Sequence, residues 1–394
     1  MNIAIVGAGL LGRLLAWRLL STGHSVSLTE SGSLENPHSA AYTAAAMISP
    51  LSEVVVSDRL IFDMGLSSLS LWPRWIETLN RETPNLPSVS YSAQGSIAVA
   101  HQLDHSELAQ FKNEIAAKLK HDDTSSWLNK LEISELEPAL AHFHHALFLP
   151  GEAHLDNRQL LSSLLVAIRQ LGGKCTENNS VDLNNGDDQK QFNDADWILD
   201  CRGMGAKTTS NQLRGVRGEV MWVEGKDVEL SRPVRLMHPR YKLYIVPKPN
   251  NQFIIGATEI ESEDSSPISL QSNLELASAL YTINPAFSEA RVIETDTNLR
   301  PTFRDNLPKV QRLHPYGNGA KNNILQINGL YRHGYLLAPT IVEHISNWIE
   351  EKQPGNFWSA IYHDHETAYH EVTHREKSHR NTSHQTNLTT SNIK

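Results

Sequence analysis

The chain has 394 residues, 40% of them hydrophobic and 20% charged, with a formal net charge of -9. Its length calls for two domains rather than one small core, and its acidic balance argues against a nucleic-acid partner. No apolar run approaches the ~18–20 residues of a membrane span. The two cysteines, Cys175 and Cys201, have no disulfide or metal spacing and suit a reducing cytoplasm.

Residues 2–6 form a short apolar, β-branched run, and Gly7-Ala8-Gly9-Leu10-Leu11-Gly12 follows at once. Leu14, Leu15, Arg18 and Leu19 recur at helical spacing up to Gly23, and an alternating run then ends on Glu30. Strand, glycine turn, helix, strand and acid in this order specify a dinucleotide fold. Gly7 permits the tight turn, Gly9 lets a pyrophosphate approach the backbone, and Gly12 lets the helix pack close to the strand. The helix N-terminus offers unpaired N–H groups to phosphate, and Glu30 stands where a carboxylate can accept ribose hydroxyls. A signal peptide is set aside, because no basic residue precedes the apolar run and three glycines and two arginines interrupt it.

Small residues crowd positions 39–50, through Ala45, Ala46 and Met47, either so that a backbone can approach something flat or to start a tightly packed helix. Residues 59–79 read as a helix ended by Pro84 and Pro87. Residues 88–100 read as a strand pair opening a second domain, and residues 105–136 as mainly helical. His142, His144 and His145 lack an acid or cysteine at ligand spacing and read as surface residues. Residues 157–171 form an amphipathic helix closed by Gly172-Gly173. Residues 175–181 read as a strand, 184–188 as a hairpin tip, and 196–201 as a buried strand returning beside the first one. Runs at 218–224, 241–247 and 253–258 suggest an antiparallel sheet, followed by a helix at 274–283. A strand at 323–327 and a closing helix at 336–348 complete the fold. Residues 363–394 are polar, carry six histidines up to His384, and are expected to be a solvated, disordered tail rather than a metal site.

Several separate segments resemble, in order, the FAD-dependent D-amino acid oxidase family, and within it the bacterial glycine oxidases that serve thiamine biosynthesis. They are the glycine turn, Ala45-Ala46-Met47, Leu299-Arg300-Pro301, and residues 329–339. Residues 235–240, 244–248 and 255–259 lie closest to the glycine oxidase branch. The similarity covers roughly residues 1–350. It implies an α/β fold with a Rossmann-like FAD-binding domain (1–85, 150–210 and 306–360) and an α+β substrate domain with a mainly antiparallel sheet (86–149 and 211–305). It also implies non-covalent FAD, since sarcosine oxidases of this superfamily tether flavin through a late cysteine and none follows Cys201.

By position, the resemblance assigns Gly7, Gly9, Leu10, Leu11 and Gly12 to the pyrophosphate turn, Glu30 and Ser31 to the ribose, and Val181 to the adenine side. Ala45, Ala46 and Met47 would line the flavin, and Leu330, Tyr331, Arg332, His333, Gly334, Tyr335 and Leu336 would close over it. Arg300 would grip the substrate carboxylate as a bidentate guanidinium, supported by Tyr244. Arg332 would either join that grip or face the reduced flavin. The competing readings are a surface ion pair of Arg300 with Asp296 or Asp305, and a plain sheet aromatic for Tyr244. Glu259 departs from the apolar residue that other glycine oxidases can carry after Gly-Ala-Thr, and strand alternation leaves its direction open.

The implied activity is oxidation of glycine, or of a similar small amine such as sarcosine or D-alanine, to the imine with dioxygen reduced to peroxide. Two alternatives stand beside it: another flavin D-amino acid or sarcosine oxidase or dehydrogenase, and a flavin-binding partner protein without turnover. The sequence leaves oligomeric state open, a homo-oligomer included.

Overall fold

A computed structural model describes residues 1–210, 212–240, 242–313 and 323–364. One sheet has seven strands in the order Tyr362–Asp364, Lys309–Leu313, Asn323–Asn328, Trp197–Asp200, Asn2–Val6, Ser25–Thr29 and Lys174–Thr176. The first strand pairs in parallel on both sides, Ile3 against Trp197 and against Val26. Its side chains alternate as a strand buried on both faces requires. Ile3 and Ile5 enter a large core under the helices, while Ala4 and Val6 join a smaller cluster with Val181, Phe192, Ile198 and Ile324.

Helix Leu10–Ser21 follows the first strand directly and packs against helices Asn157–Gln170 and Gly334–Ile349; the last of these also lies on Arg59–Glu82. Trp17 meets Trp75 edge to face at 6.0 Å, and Trp72 stacks on Tyr335 at 6.5 Å, tying three helices together. Two glycines make the entry to this layer possible. Gly7 has φ +100°, and a Cβ there would lie 2.5 Å from the Cys201 carbonyl oxygen. A Cβ on Gly12 would lie 1.9 Å from the Gly7 carbonyl oxygen. Buried Arg13 then braces the turn, donating to the carbonyls of Ala8, Leu34 and Leu161 at 2.7 Å each.

The second sheet has eight strands in the order Arg291–Thr302, Arg214–Glu224, Gln252–Gly256, Lys242–Lys248, Val234–Met237, Ser96–Val99, His145–Leu149 and Ser126–Asn129. Its pairs are antiparallel except Val234–Met237 with Ser96–Val99. Met221, Val223, Ile245 and Ile255 face helix Leu270–Ile283, whereas Val220, Trp222, Tyr244 and Val246 face Ala45 and Met47. The period of two therefore places one face of this sheet toward the small-residue segment.

Several local expectations need correcting. Residues 186–190 form a short helix, not a hairpin tip, because the Asn185 side chain accepts from the Asp187 N–H at its start. The strand expected at 175–181 spans only Lys174–Thr176, after which the chain turns so that the Asn179 N–H reaches the Glu30 carbonyl. Tyr91–Ser92 and Ser96–Val99 do not pair with each other; the former joins a three-stranded sheet with Met47–Ile48 and Ala153–Leu155. The stretch 105–136 is interrupted by the edge strand Ser126–Asn129. The leading segment 291–297 of the long strand Arg291–Thr302 was not expected at all. His363 and Asp364, the first residues of the expected tail, belong to a strand, and the rest of that tail lies outside the described residues. Among the described residues no helix is long and apolar enough to cross a membrane.

Candidate active site

A cavity of about 1210 Å³ runs from the glycine turn to the face of the eight-stranded sheet that looks toward Ala45 and Met47. That exceeds the ~300–1,000 Å³ of a drug-sized ligand pocket. At one end it is lined by Gly7, Gly9, Leu10 and Leu11, with Glu30 and Ser31 at the end of the second strand and Val181 opposite. Gly12 does not line it. Its hydrogen serves the contact between helix and strand, so it supports the turn without reaching a ligand. Among the described residues no side chain caps helix Leu10–Ser21 or accepts from its first-turn N–H groups. Glu30 accepts from the Ala8 N–H at 2.6 Å and from the Ser31 N–H at 2.8 Å, which fixes the carboxylate beside the turn. Uncapped amides, two glycines without side chains and an anchored acid together fit a dinucleotide.

The middle of the cavity is lined by Ala45, Ala46 and Met47, and Ala46 adopts a left-handed φ of 55°. Buried Lys248 holds this segment from behind, its ammonium donating to the carbonyls of Ala45 at 2.9 Å and Leu155 at 2.6 Å. Burial pulls its pKa down to about 8. Leu330, Tyr331, Arg332, His333, Gly334, Tyr335 and Leu336 line the far wall, with Tyr331 also left-handed at φ 52°. Helix Gly334–Ile349 starts there without a side-chain cap, so its positive end opens on the cavity.

The substrate end is built on one sheet face. Arg235, Tyr244, Gly256 and Val220 are successive cross-strand partners, so their side chains share that face. Arg300 lies over Gly218, where a Cβ would stand 2.4 Å from the guanidinium. Its guanidinium donates to the Arg217 carbonyl at 3.2 Å, and among the described residues it forms no ion pair. Burial lowers its pKa, as expected of a guanidinium lacking a counter-charge. Asp296 is occupied by the Thr43 hydroxyl at 2.5 Å and Asp305 by Lys309 at 3.0 Å, so neither competing ion pair forms. Tyr244 lines the cavity, and burial raises its phenol pKa.

Arg332 is in a different condition. Its Nε donates to Glu53 at 2.8 Å and its Nη1 to Glu259 at 2.6 Å. Glu53, chiefly, holds its pKa above the usual value against the effect of burial. Glu53 itself is buried in the short helix Pro50–Glu53 and also meets His333 Nε2 at 3.1 Å and Arg235 Nη2 at 3.5 Å. Burial alone would raise its pKa, but these three cations and donors hold it well below the carboxylate range. Glu152 fixes this helix in turn, accepting from the Ser52 N–H at 2.7 Å and hydroxyl at 2.6 Å. Glu259 lines the cavity, bonded to the Tyr331 hydroxyl at 2.5 Å as well as to Arg332, which settles the direction that strand alternation left open.

Glu53 and Arg235 were not singled out from the sequence. The trace of Glu53 was a single acid before the apolar run Val54-Val55-Val56, which on a surface helix would be unusual. Arg235 left a similar trace, a lone cation among the apolar residues Val234, Leu236 and Met237.

Residues 2–348 match the model of a family described as FAD dependent oxidoreductase. A Rhizobium etli oxidoreductase named for thiamine biosynthesis is 36% identical over 90% of this chain and 98% of its own length. The glycine oxidase of Geobacillus kaustophilus is 26% identical over 89% of this chain and 93% of its own. A crystal structure of glycine oxidase from that organism shares the fold with a TM-score of 0.73, at 24% identity, covering 89% of this chain and 94% of that one.

Proposed function

The chain belongs to the FAD-dependent oxidoreductase family, and on that premise we propose that it oxidises glycine to the imine, with dioxygen reduced to hydrogen peroxide, as a supply step for the thiazole of thiamine. The observation that carries this reading is Arg300, a guanidinium without an ion-pair partner among the described residues, on a cavity continuous with a dinucleotide turn. Bound there, FAD supplies the two-electron acceptor and passes the electrons to dioxygen.

Gly7, Gly9, Leu10 and Leu11 would hold the phosphates, Glu30 and Ser31 the ribose, and Val181 the adenine side. Ala45–Met47 and Leu330–Leu336 would hold the ring. Arg300 would take the substrate carboxylate in two parallel hydrogen bonds, and the Tyr244 hydroxyl would donate a third. Arg332, already shared between Glu53 and Glu259, would act as the structural pivot of the pocket wall rather than as the carboxylate anchor. With the carboxylate fixed, the α-carbon is positioned and the amine reacts in its deprotonated form, its nitrogen lone pair forming the C=N bond as the α-hydrogen departs with its bonding electrons; catalysis by this chain is then orientation plus a preset field. The first turn of helix Gly334–Ile349 favours negative charge at its end of the cavity.

In this reading segments 1–85, 150–210 and 306–360 hold FAD, and 86–149 with 211–305 hold the substrate. The division of strands between the two large sheets supports it. Reduced cysteines support a cytoplasmic location. The test is peroxide release by the FAD-loaded protein across glycine, sarcosine, D-alanine and larger D-amino acids. Glycine among the best substrates is the expected result; peroxide from larger D-amino acids but not from glycine would reject it.

A further inference from the structure

We propose that Glu259 is a specificity-determining residue that restricts the site to amines bearing one carboxylate, an inference that rests on the reading of this cavity as an amino acid oxidase site. The substrate end is lined by three guanidinium groups, Arg235, Arg300 and Arg332, against two carboxylates, Glu53 and Glu259. Farther out, Arg240 and Glu275 add one charge of each sign. One unit of positive charge is left, and it is centred on Arg300, the member with no ion pair among the described residues. A substrate with a single carboxylate neutralises it.

A second carboxylate meets a different environment. Arg332 is the guanidinium on the wall beside Arg300, and each feels the other's charge. Its Nη1 is taken by Glu259, and its Nε by Glu53. Glu53 is buried and held by three partners. Glu259 is 46% exposed, sits on the loop after strand Gln252–Gly256, and is tied to the opposite wall through Tyr331 and Arg332. Its carboxylate therefore stands where the second anion of a dicarboxylate amine would seek Arg332, and it opposes that anion by like charge. Selectivity built on a repulsive group of this kind excludes a competitor without adding contacts to the preferred ligand.

The experiment uses FAD-loaded wild type, Glu259→Gln and Glu259→Asp. The probes are glycine and iminodiacetate as substrates, and acetate and malonate as non-reacting ligands followed by perturbation of the flavin absorbance. Gln keeps an acceptor for the Tyr331 hydroxyl and removes the charge. Glu259→Gln is expected to raise the iminodiacetate-to-glycine ratio of kcat/KM, and the malonate-to-acetate ratio of affinities, about tenfold. That is the factor for unit charges ~6 Å apart at an effective dielectric of ~40. Glu259→Asp should stay near wild type. Unchanged ratios in Glu259→Gln, or equal increases in both variants, would overturn the inference, the second by showing that bulk and not charge matters. The carboxylate titrations decide this even if none of the amines is oxidised, an outcome that would count against the oxidase reading alone.

Discussion

Replacing Arg300 by Met removes the guanidinium while keeping an unbranched side chain over Gly218. Two routes give the size of the effect. Hydrogen bonds to a charged group contribute ~1.5–3 kcal/mol each, and a bidentate pair is the stronger geometry. Unit charges ~4 Å apart at an effective dielectric of ~20 interact by about 4 kcal/mol. Both place the loss near 3–4 kcal/mol, so the glycine dissociation constant should rise roughly 10²–10³-fold. Because Arg300 has no counter-charge among the described residues and burial already depresses its pKa, the variant should be at least as stable as wild type. The assay is glycine-dependent flavin reduction across a concentration series, with the flavin spectrum and thermal denaturation as controls. Unchanged glycine saturation would remove Arg300 from the site. Saturation lost together with the flavin and the fold would show that Arg300 is structural.

Glu53→Gln takes the shared partner from Arg332, His333 and Arg235, and should destabilise the protein by about 3 kcal/mol in denaturant titrations. The folded pKa of Glu53 is depressed, so its contribution is complete above the ordinary carboxyl value of 4.5 and is lost as pH falls through the lower folded value. The stability gap between wild type and Glu53→Gln should therefore close under acid; a gap independent of pH would contradict the ion-pair account. Lys248 has its pKa lowered from 10.5 to about 8, so between those values the unfolded chain binds more protons and stability rises with pH. Relative to Lys248→Met, wild type should gain about 3 kcal/mol over that window, and a flat difference would show that the ammonium is not desolvated as described. A neutral amine still has two N–H donors for the Ala45 and Leu155 carbonyls, so the gain should leave that anchor intact.

The glycine turn was legible because its rules are local: a left-handed Gly7, a helix that must touch the strand at Gly12, and an acid one strand later. The closing helix and the returning strand Trp197–Asp200 were legible from periodicity and apolar content. Strand Arg291–Thr302 was hidden because it lies at the edge of its sheet, with Arg291, Val292 and Ile293 exposed and no apolar alternation to mark it. The helix at Gly186–Lys190 depended on one cap, Asn185, within a run that also spells a turn. The pairing of Glu53 with Arg332, His333 and Arg235 joins three segments far apart in the chain, and no spacing rule connects them. That pairing separates Arg300 from Arg332, two arginines that look equivalent in the sequence.

The most direct test mixes the FAD-loaded protein with glycine in the absence of oxygen and follows the yellow absorbance. Bleaching that saturates with glycine, and that needs far more glycine in Arg300→Met, is the predicted result. A flavin that stays oxidised at every glycine concentration would contradict the account.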